Sequence, residues 1–98
     1  MSFQDQVLRM VPKVPRGKVT TYKELARALG RPKAWRAVAS ALASNPHPVK
    51  IPCHRVVRSD GSIGGYRLGA RRKIELLSDE GVEIRERKVR LSRYLFRF

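Results

Sequence analysis

A single thiol stands in the segment Ile51-Pro52-Cys53-His54-Arg55-Val56-Val57 of this 98-residue chain, with an imidazole as its immediate neighbour. One cysteine cannot close an internal disulfide. Cys53 with the two histidines, His47 and His54, also supplies too few soft ligands for an ordinary zinc site. Cys53 is then either a small buried hydrophobe or a nucleophile. An unassisted thiol, with a pKa of ~8.5, is mostly protonated at neutral pH, so nucleophilic use needs a base. His54 is the candidate. Adjacent side chains diverge along an extended chain, so the proton would pass through a bridging water rather than a direct bond.

The surroundings of the thiol are strongly basic. Lys and Arg number 22 against 8 Asp and Glu, a formal net charge of +14, and the first fifty residues carry only Asp5 and Glu24 as acids. Charge on that scale repels itself in a compact fold unless a polyanion or salt screens it, which makes nucleic acid the expected partner. An anionic membrane is the competing reading, but no long apolar run, signal-like start or lipidation motif supports it. A monomer in a reducing cytoplasm, where a free thiol survives, is expected, with no metal and no cofactor.

Positioning Cys53 falls to one compact domain, since the length allows a single apolar centre and not two. Phe3, Val7 and Met10 recur at helical spacing behind Ser2, an N-cap, and Pro12 closes that helix. A turn follows at Pro15–Gly17. Thr21 and Glu24 stand in capping-box spacing, so a second helix starts at Tyr22, presents Tyr22, Leu25, Ala26 and Leu29 on one face, and ends at Gly30. Pro32 suits the first turn of a third helix that runs to Asn45-Pro46 with Trp35, Val38 and Leu42 inward.

Two helices joined by a short glycine-containing turn predict a helix-turn-helix. On the other face of the third helix, Arg36, Ala39, Ser40 and Ala43 form a stripe of small side chains with one cation. With this net charge, that face is expected to approach a nucleic-acid groove. Beyond Cys53 the pattern predicts a short strand over His54–Val57 and a glycine-rich turn. A fourth helix follows, buried at Ala70, Ile74 and Leu77 and ended by Gly81. Val82 and Ile84 alternate as in a strand or hairpin of unclear register. Residues 85–98, with six cations and one acid, read as a basic C-terminal tail that is either a phosphate surface or a solvated end. The expected fold class is therefore mainly α with short β elements. It is a single compact winged-helix-like domain over residues 1–84, containing the helix-turn-helix.

The block Ile51–Val57 (IPCHRVV) resembles the active-site signature of the O6-alkylguanine-DNA alkyltransferases, suicide DNA-repair proteins that take an alkyl group from guanine onto their own cysteine. Val19–Val57 follows the family order of tyrosine, helix, arginine-bearing recognition helix, Asn-Pro and Pro-Cys-His-Arg-Val, and DGSIGGY (Asp60–Tyr66) and LLSDEG (Leu76–Gly81) continue it. The likeness runs from about Phe3 to Gly81. It implies that Glu80 orients His54 in a Cys-water-His-Glu relay and that Asn45 braces the turn carrying Cys53. It makes Arg36 a finger that enters the base stack and Tyr22 the residue that favours rotation of the nucleotide. Ala39, Ser40 and Ala43 would face the minor groove. The pocket would combine Pro48, main-chain groups around Val56, and Tyr66. A soft thiolate suits this reaction, which requires attack on an alkyl carbon while the base departs.

Two departures from the family stand out. Where its members usually read Tyr-Ser-Gly-Gly, this chain reads Tyr66-Arg67-Leu68-Gly69, so Arg67 and Leu68 stand at positions normally small. They would narrow the pocket against large alkyl groups, or Arg67 would turn outward to phosphate. Members commonly carry a further N-terminal domain; for this chain the alternatives are that it is dispensable, that a partner supplies it, or that it belongs to a larger fusion. The resemblance implies the catalytic, C-terminal type of domain, acting on double-stranded DNA that contains O6-alkylguanine. The alternatives are a non-reacting, alkyltransferase-like lesion sensor, a class that typically replaces the cysteine, and a helix-turn-helix transcription regulator with a redox-sensing thiol.

Overall fold

The Ser2 hydroxyl accepts from the Asp5 amide at 3.1 Å and starts α1 (Phe3–Met10), which lays Val7 into the core. A 3₁₀ turn at Val11–Lys13 absorbs Pro12, whose missing N–H costs nothing at a first turn. The structure, a computed structural model, describes every residue from Met1 to Phe98.

Thr21 caps α2 (Tyr22–Ala28) by accepting from the Glu24 amide at 3.0 Å. The helix closes in a Schellman pair, Arg31 N–H to the Ala26 carbonyl at 3.0 Å and Gly30 N–H to Arg27 at 2.9 Å, with Gly30 at φ +76°. Then α3 spans Trp35–Ala43. It begins later than Pro32 because Arg31–Ala34 is spent on the turn, where the Ala34 amide donates to the Arg31 carbonyl at 2.9 Å. Val7, Leu25, Ala26, Val38 and Leu42 pack α1, α2 and α3 together and give the expected helix-turn-helix.

Strand β1 (Thr20–Thr21) pairs in parallel with β2 (Val56–Val57), Thr20 opposite Val56 and Thr21 opposite Val57. This pairing sets the site: it fixes the start of α2 beside the chain that leaves Cys53. The C-terminal end adds a further edge, with the Val19 amide on the Tyr94 carbonyl at 2.9 Å and the Phe96 amide on Val19 at 2.7 Å.

Helix α4 (Ala70–Asp79) also ends in a Schellman pair, Val82 N–H to Leu77 at 3.0 Å and Gly81 N–H to Ser78 at 3.0 Å, with Gly81 at φ +90°. The tail is folded, too. Strands β3 (Ile84–Arg85) and β4 (Lys88–Val89) form an antiparallel hairpin turned by Glu86 and Arg87 at positive φ, and α5 (Leu91–Tyr94) follows. Strand β3 thus crosses the expected 84/85 boundary. The single apolar centre expected from length is instead two clusters: nine residues centred on the three N-terminal helices, and seven (Val19, Val57, Ile63, Leu77, Val82, Val89, Tyr94) that hold the C-terminal segments. The class is otherwise as expected, mainly helical with short strands. No helix is long and apolar enough to cross a membrane.

Candidate active site

Cys53 opens a 3₁₀ turn (Cys53–Arg55) that takes up His54 and Arg55, so the strand expected over His54–Val57 starts only at Val56. The turn has a consequence for chemistry, because it sends the side chains of Cys53 and His54 to different neighbours. The thiol lies in the wall of a cavity of about 640 Å³, a volume in the range of small-ligand sites. It is only 5% exposed. Asn45, fully buried, donates from Nδ2 to Sγ at 3.3 Å and to the Ile51 carbonyl at 3.0 Å, while its Oδ1 accepts from the His47 amide at 2.9 Å. One amide therefore fixes both the loop and the thiol.

His54 turns away from the cavity into a buried ion network. Its Nε2 lies 3.0 Å from Glu80 Oε2, and Glu80 receives Arg55 through Nε at 2.9 Å and Nη2 at 2.7 Å, a bidentate pair. Arg55 Nη1 also donates to the Val14 carbonyl at 2.9 Å, tying the network to the segment after α1. Burial lowers the His54 pKa, and Glu80 only partly opposes it, so the ring is neutral near pH 7. For Glu80, burial pushes upward, but the hydrogen bonds from Arg55 and then His54 outweigh it and hold the carboxyl below its ordinary range. An ionised carboxylate can only accept, so Nε2 carries the imidazole proton and Nδ1 is left as an acceptor. That Nδ1 is buried and has no protein partner.

The expected site residues divide into those that meet at the cavity and those that do not. Tyr22, Ala39, Ala43, Tyr66 and Arg67 line it with Cys53. Arg36 is exposed and stacks its guanidinium 5.0 Å from the Trp35 ring centroid. Trp35, expected inward, is instead 38% exposed and forms part of the cavity wall, so Arg36 stacks on a side chain of that wall without lining the cavity itself. Ser40 is exposed on the same helix outside the lining. Val56 is buried behind the wall. Pro48 is half-buried in the 46–50 loop, and Leu68 is 48% exposed on the Tyr66–Gly69 turn; neither lines the cavity. Arg67 is exposed at the cavity, where its Nη1 donates to the Asn45 carbonyl.

Several residues that sequence reasoning passed over belong here. Lys73 is completely buried on α4 and has no carboxylate partner; its Nζ donates to the Val56 carbonyl at 2.7 Å and the Gly65 carbonyl at 3.1 Å. It thereby ties the strand after Cys53 to the wall that carries Tyr66. Its signal was present, as a cation on the apolar face between Ala70 and Leu77. Arg58 and Lys23 add positive charge to the cavity wall. Gly64, at φ +70°, passes so close to Tyr22 that an added Cβ would lie 3.2 Å from the phenol oxygen. No group of three or more His, Cys, Asp or Glu side chains is placed to hold a metal ion.

Fold and site together define a helix-turn-helix domain with one thiol set in a cavity and backed by a His-Glu-Arg network. Residues 2–82 match the family model described as the 6-O-methylguanine DNA methyltransferase, DNA binding domain. The chain belongs to that family. It is 52% identical over 79 residues to the bifunctional transcriptional activator/DNA repair enzyme Ada of Escherichia coli, covering 81% of this chain and 22% of that protein. It is 51% identical over 83 residues to a methylated-DNA--protein-cysteine methyltransferase of Methanothermobacter thermautotrophicus, covering 84% of this chain and 46% of that one. The chain thus spans between a fifth and a half of the length of these relatives. Among solved structures, S. pombe Atl1 in complex with damaged DNA containing O6-carboxymethylguanine superposes with a TM-score of 0.88 at 34% identity, covering 98% of this chain and 95% of Atl1.

Proposed function

We propose that this domain is of the family's catalytic, C-terminal type and repairs duplex DNA by moving an alkyl group, methyl above all, from O6 of an extruded guanine to Cys53. The observation that carries the reading is the buried thiol in the cavity wall, held by Asn45 Nδ2 at 3.3 Å, with the His54–Glu80 pair beside it. Extrusion costs a few kcal/mol, offset by contacts made in its place. Tyr22 crowds the backbone at the cavity wall, Arg36 enters the gap in the stack, and Ala39, Ser40 and Ala43 let α3 approach the minor groove closely.

The chemistry then balances without a cofactor. Neutral His54, its Nε2 proton committed to Glu80, takes the thiol proton at Nδ1 through a bridging water. The Asn45 amide stabilises the thiolate. Sulfur attacks the alkyl carbon, the sulfur–carbon bond forms as the carbon–O6 bond breaks, and the electron pair leaves on the guanine, which regains a proton. The thioether offers water no leaving group, so each molecule acts once.

The test is intact-protein mass after incubation with a duplex containing O6-methylguanine. A gain of one methyl group, abolished in Cys53→Ser, is the expected result; an unchanged mass with tight lesion binding overturns it. That second outcome is the lesion sensor, a reading favoured by the nearly full-length match to Atl1 and opposed by Cys53 itself.

A further inference from the structure

The hairpin beyond the matched residues 2–82 forms a three-stranded sheet with the turn beside the cavity. The Val89 amide donates to the Gly61 carbonyl at 2.8 Å, the Ile63 amide to Arg87 at 3.0 Å, and Ser62 bridges antiparallel to Lys88. The spatial order is therefore Gly61–Ile63, β4, β3. Residues directly opposite one another share a face. Lys88 opposes Ser62 on one side and Arg85 on the other, while Val89 is buried in the C-terminal cluster. Ser62, Lys88 and Arg85 thus form a row across the solvent face of the sheet.

The row starts at the cavity and leads away from it. Ser59 and Asp60, in the same turn as Ser62, line the cavity. Two strand spacings of ~4.8 Å carry the row ~10 Å outward to Arg85. Arg90 and Arg93 join Arg85 and Lys88 around a groove of about 290 Å³. Glu83 also lies on it, in an ion pair with Arg85 at 2.5 Å. Arg85, Lys88, Arg90 and Arg93 are all exposed, and no other acid lines the groove.

We propose that this sheet face is a second phosphate-binding surface, which holds the duplex backbone flanking the nucleotide extruded into the cavity. Neighbouring phosphates of one DNA strand project ~3.4 Å apart on the helix axis and lie farther apart in space, so a row ~10 Å long meets about two of them. The inference rests on the reading that duplex DNA enters at the cavity, and it adds the contact outside the matched family domain.

The experiment measures affinity for an undamaged duplex between about 50 and 200 mM salt for the wild type, Arg85→Gln, Lys88→Gln, the double variant and Lys88→Arg. Each Gln variant is expected to bind severalfold more weakly at the higher salt and to lower the slope of log affinity against log salt by ~0.9, the double variant by about twice that, and Lys88→Arg not at all. Alkyl transfer from free O6-methylguanine, which has no phosphates, is expected to stay at the wild-type rate. Unchanged slopes in the Gln variants, beside a salt-dependent wild type, overturn the surface alone. A wild type that binds no duplex overturns the DNA reading and this surface with it. Loss of anionic-vesicle binding with duplex binding intact assigns the groove to lipid and also overturns it.

Discussion

Under the proposed alkyl transfer, Arg67 would set how much of the cavity an alkyl group can use. Its guanidinium lies on the Asn45 carbonyl, across the wall from Cys53, where a serine at this position would leave space. A benzyl group needs that space and a methyl group does not. Arg67→Ser is therefore expected to raise the rate of transfer from O6-benzylguanine by about tenfold, equivalent to ~1.4 kcal/mol of barrier, and to leave methyl transfer within about twofold. Single-turnover rates with the two substrates measure this; a benzyl rate unchanged by the substitution would show that Arg67 does not limit the cavity. The thiol, its imidazole neighbour and Glu80 were legible because they lie in short motifs with a known order. Asn45 was legible only through the family resemblance, because its place before Pro46 alone reads as a turn residue, and its bond to sulfur depends on the fold of the 46–50 loop. Arg55 and Lys73 were not legible as site residues, because a lone cation in a basic chain gives no sign of the carboxylate or carbonyls it will meet in the fold. Only its place on an apolar helix face sets Lys73 apart.

At the scale of elements, the two Schellman closures and the Thr21 cap were readable from Gly30, Gly81 and the Thr21/Glu24 spacing, because each is a local event. The parallel pairing of β1 with β2 was not readable, since two-residue strands carry no periodicity and their register comes from tertiary packing. Lys73 is the joint between these levels, fastening α4 to the strand after Cys53. Burial pushes its ammonium down to about 7 from an ordinary 10.5. Between those values the unfolded chain holds a proton that the folded one has released, so the penalty of burying Lys73 is full below pH 7 and is relieved as pH rises. Lys73→Met removes that linkage. Urea unfolding at about pH 6.5 and 9.5 is expected to show the wild type gaining on order of 2–3 kcal/mol relative to the variant at the higher pH. A stability difference that does not move with pH would mean that the ammonium is hydrated in the folded protein.

For the whole molecule, the C-terminal residues decide whether one domain or a domain with an appendage is present. Composition favoured the appendage, because six cations among residues 85–98 hide the apolar positions between them. The structure places Val89 at 4% exposure and Tyr94 at 8% within the cluster that also contains Leu77 and Val82, the residues of the α4 closure next to Glu80. Each buried side chain of this size contributes about 2 kcal/mol, and the edge hydrogen bonds from Val19 to Tyr94 and Phe96 add to that. A loss of about 4 kcal/mol is a large part of the total for a domain of this length. Truncation after Ile84 is therefore expected to lower the melting temperature by about 20 °C, or to abolish the cooperative transition followed by circular dichroism. Since α4 carries both Lys73 and the closure that sets Glu80, the same truncation should slow alkyl transfer from the free base, a reaction in which no phosphate contact is lost. Melting and free-base transfer at wild-type values would instead make residues 85–98 a charged appendage, acting on DNA without supporting the thiol.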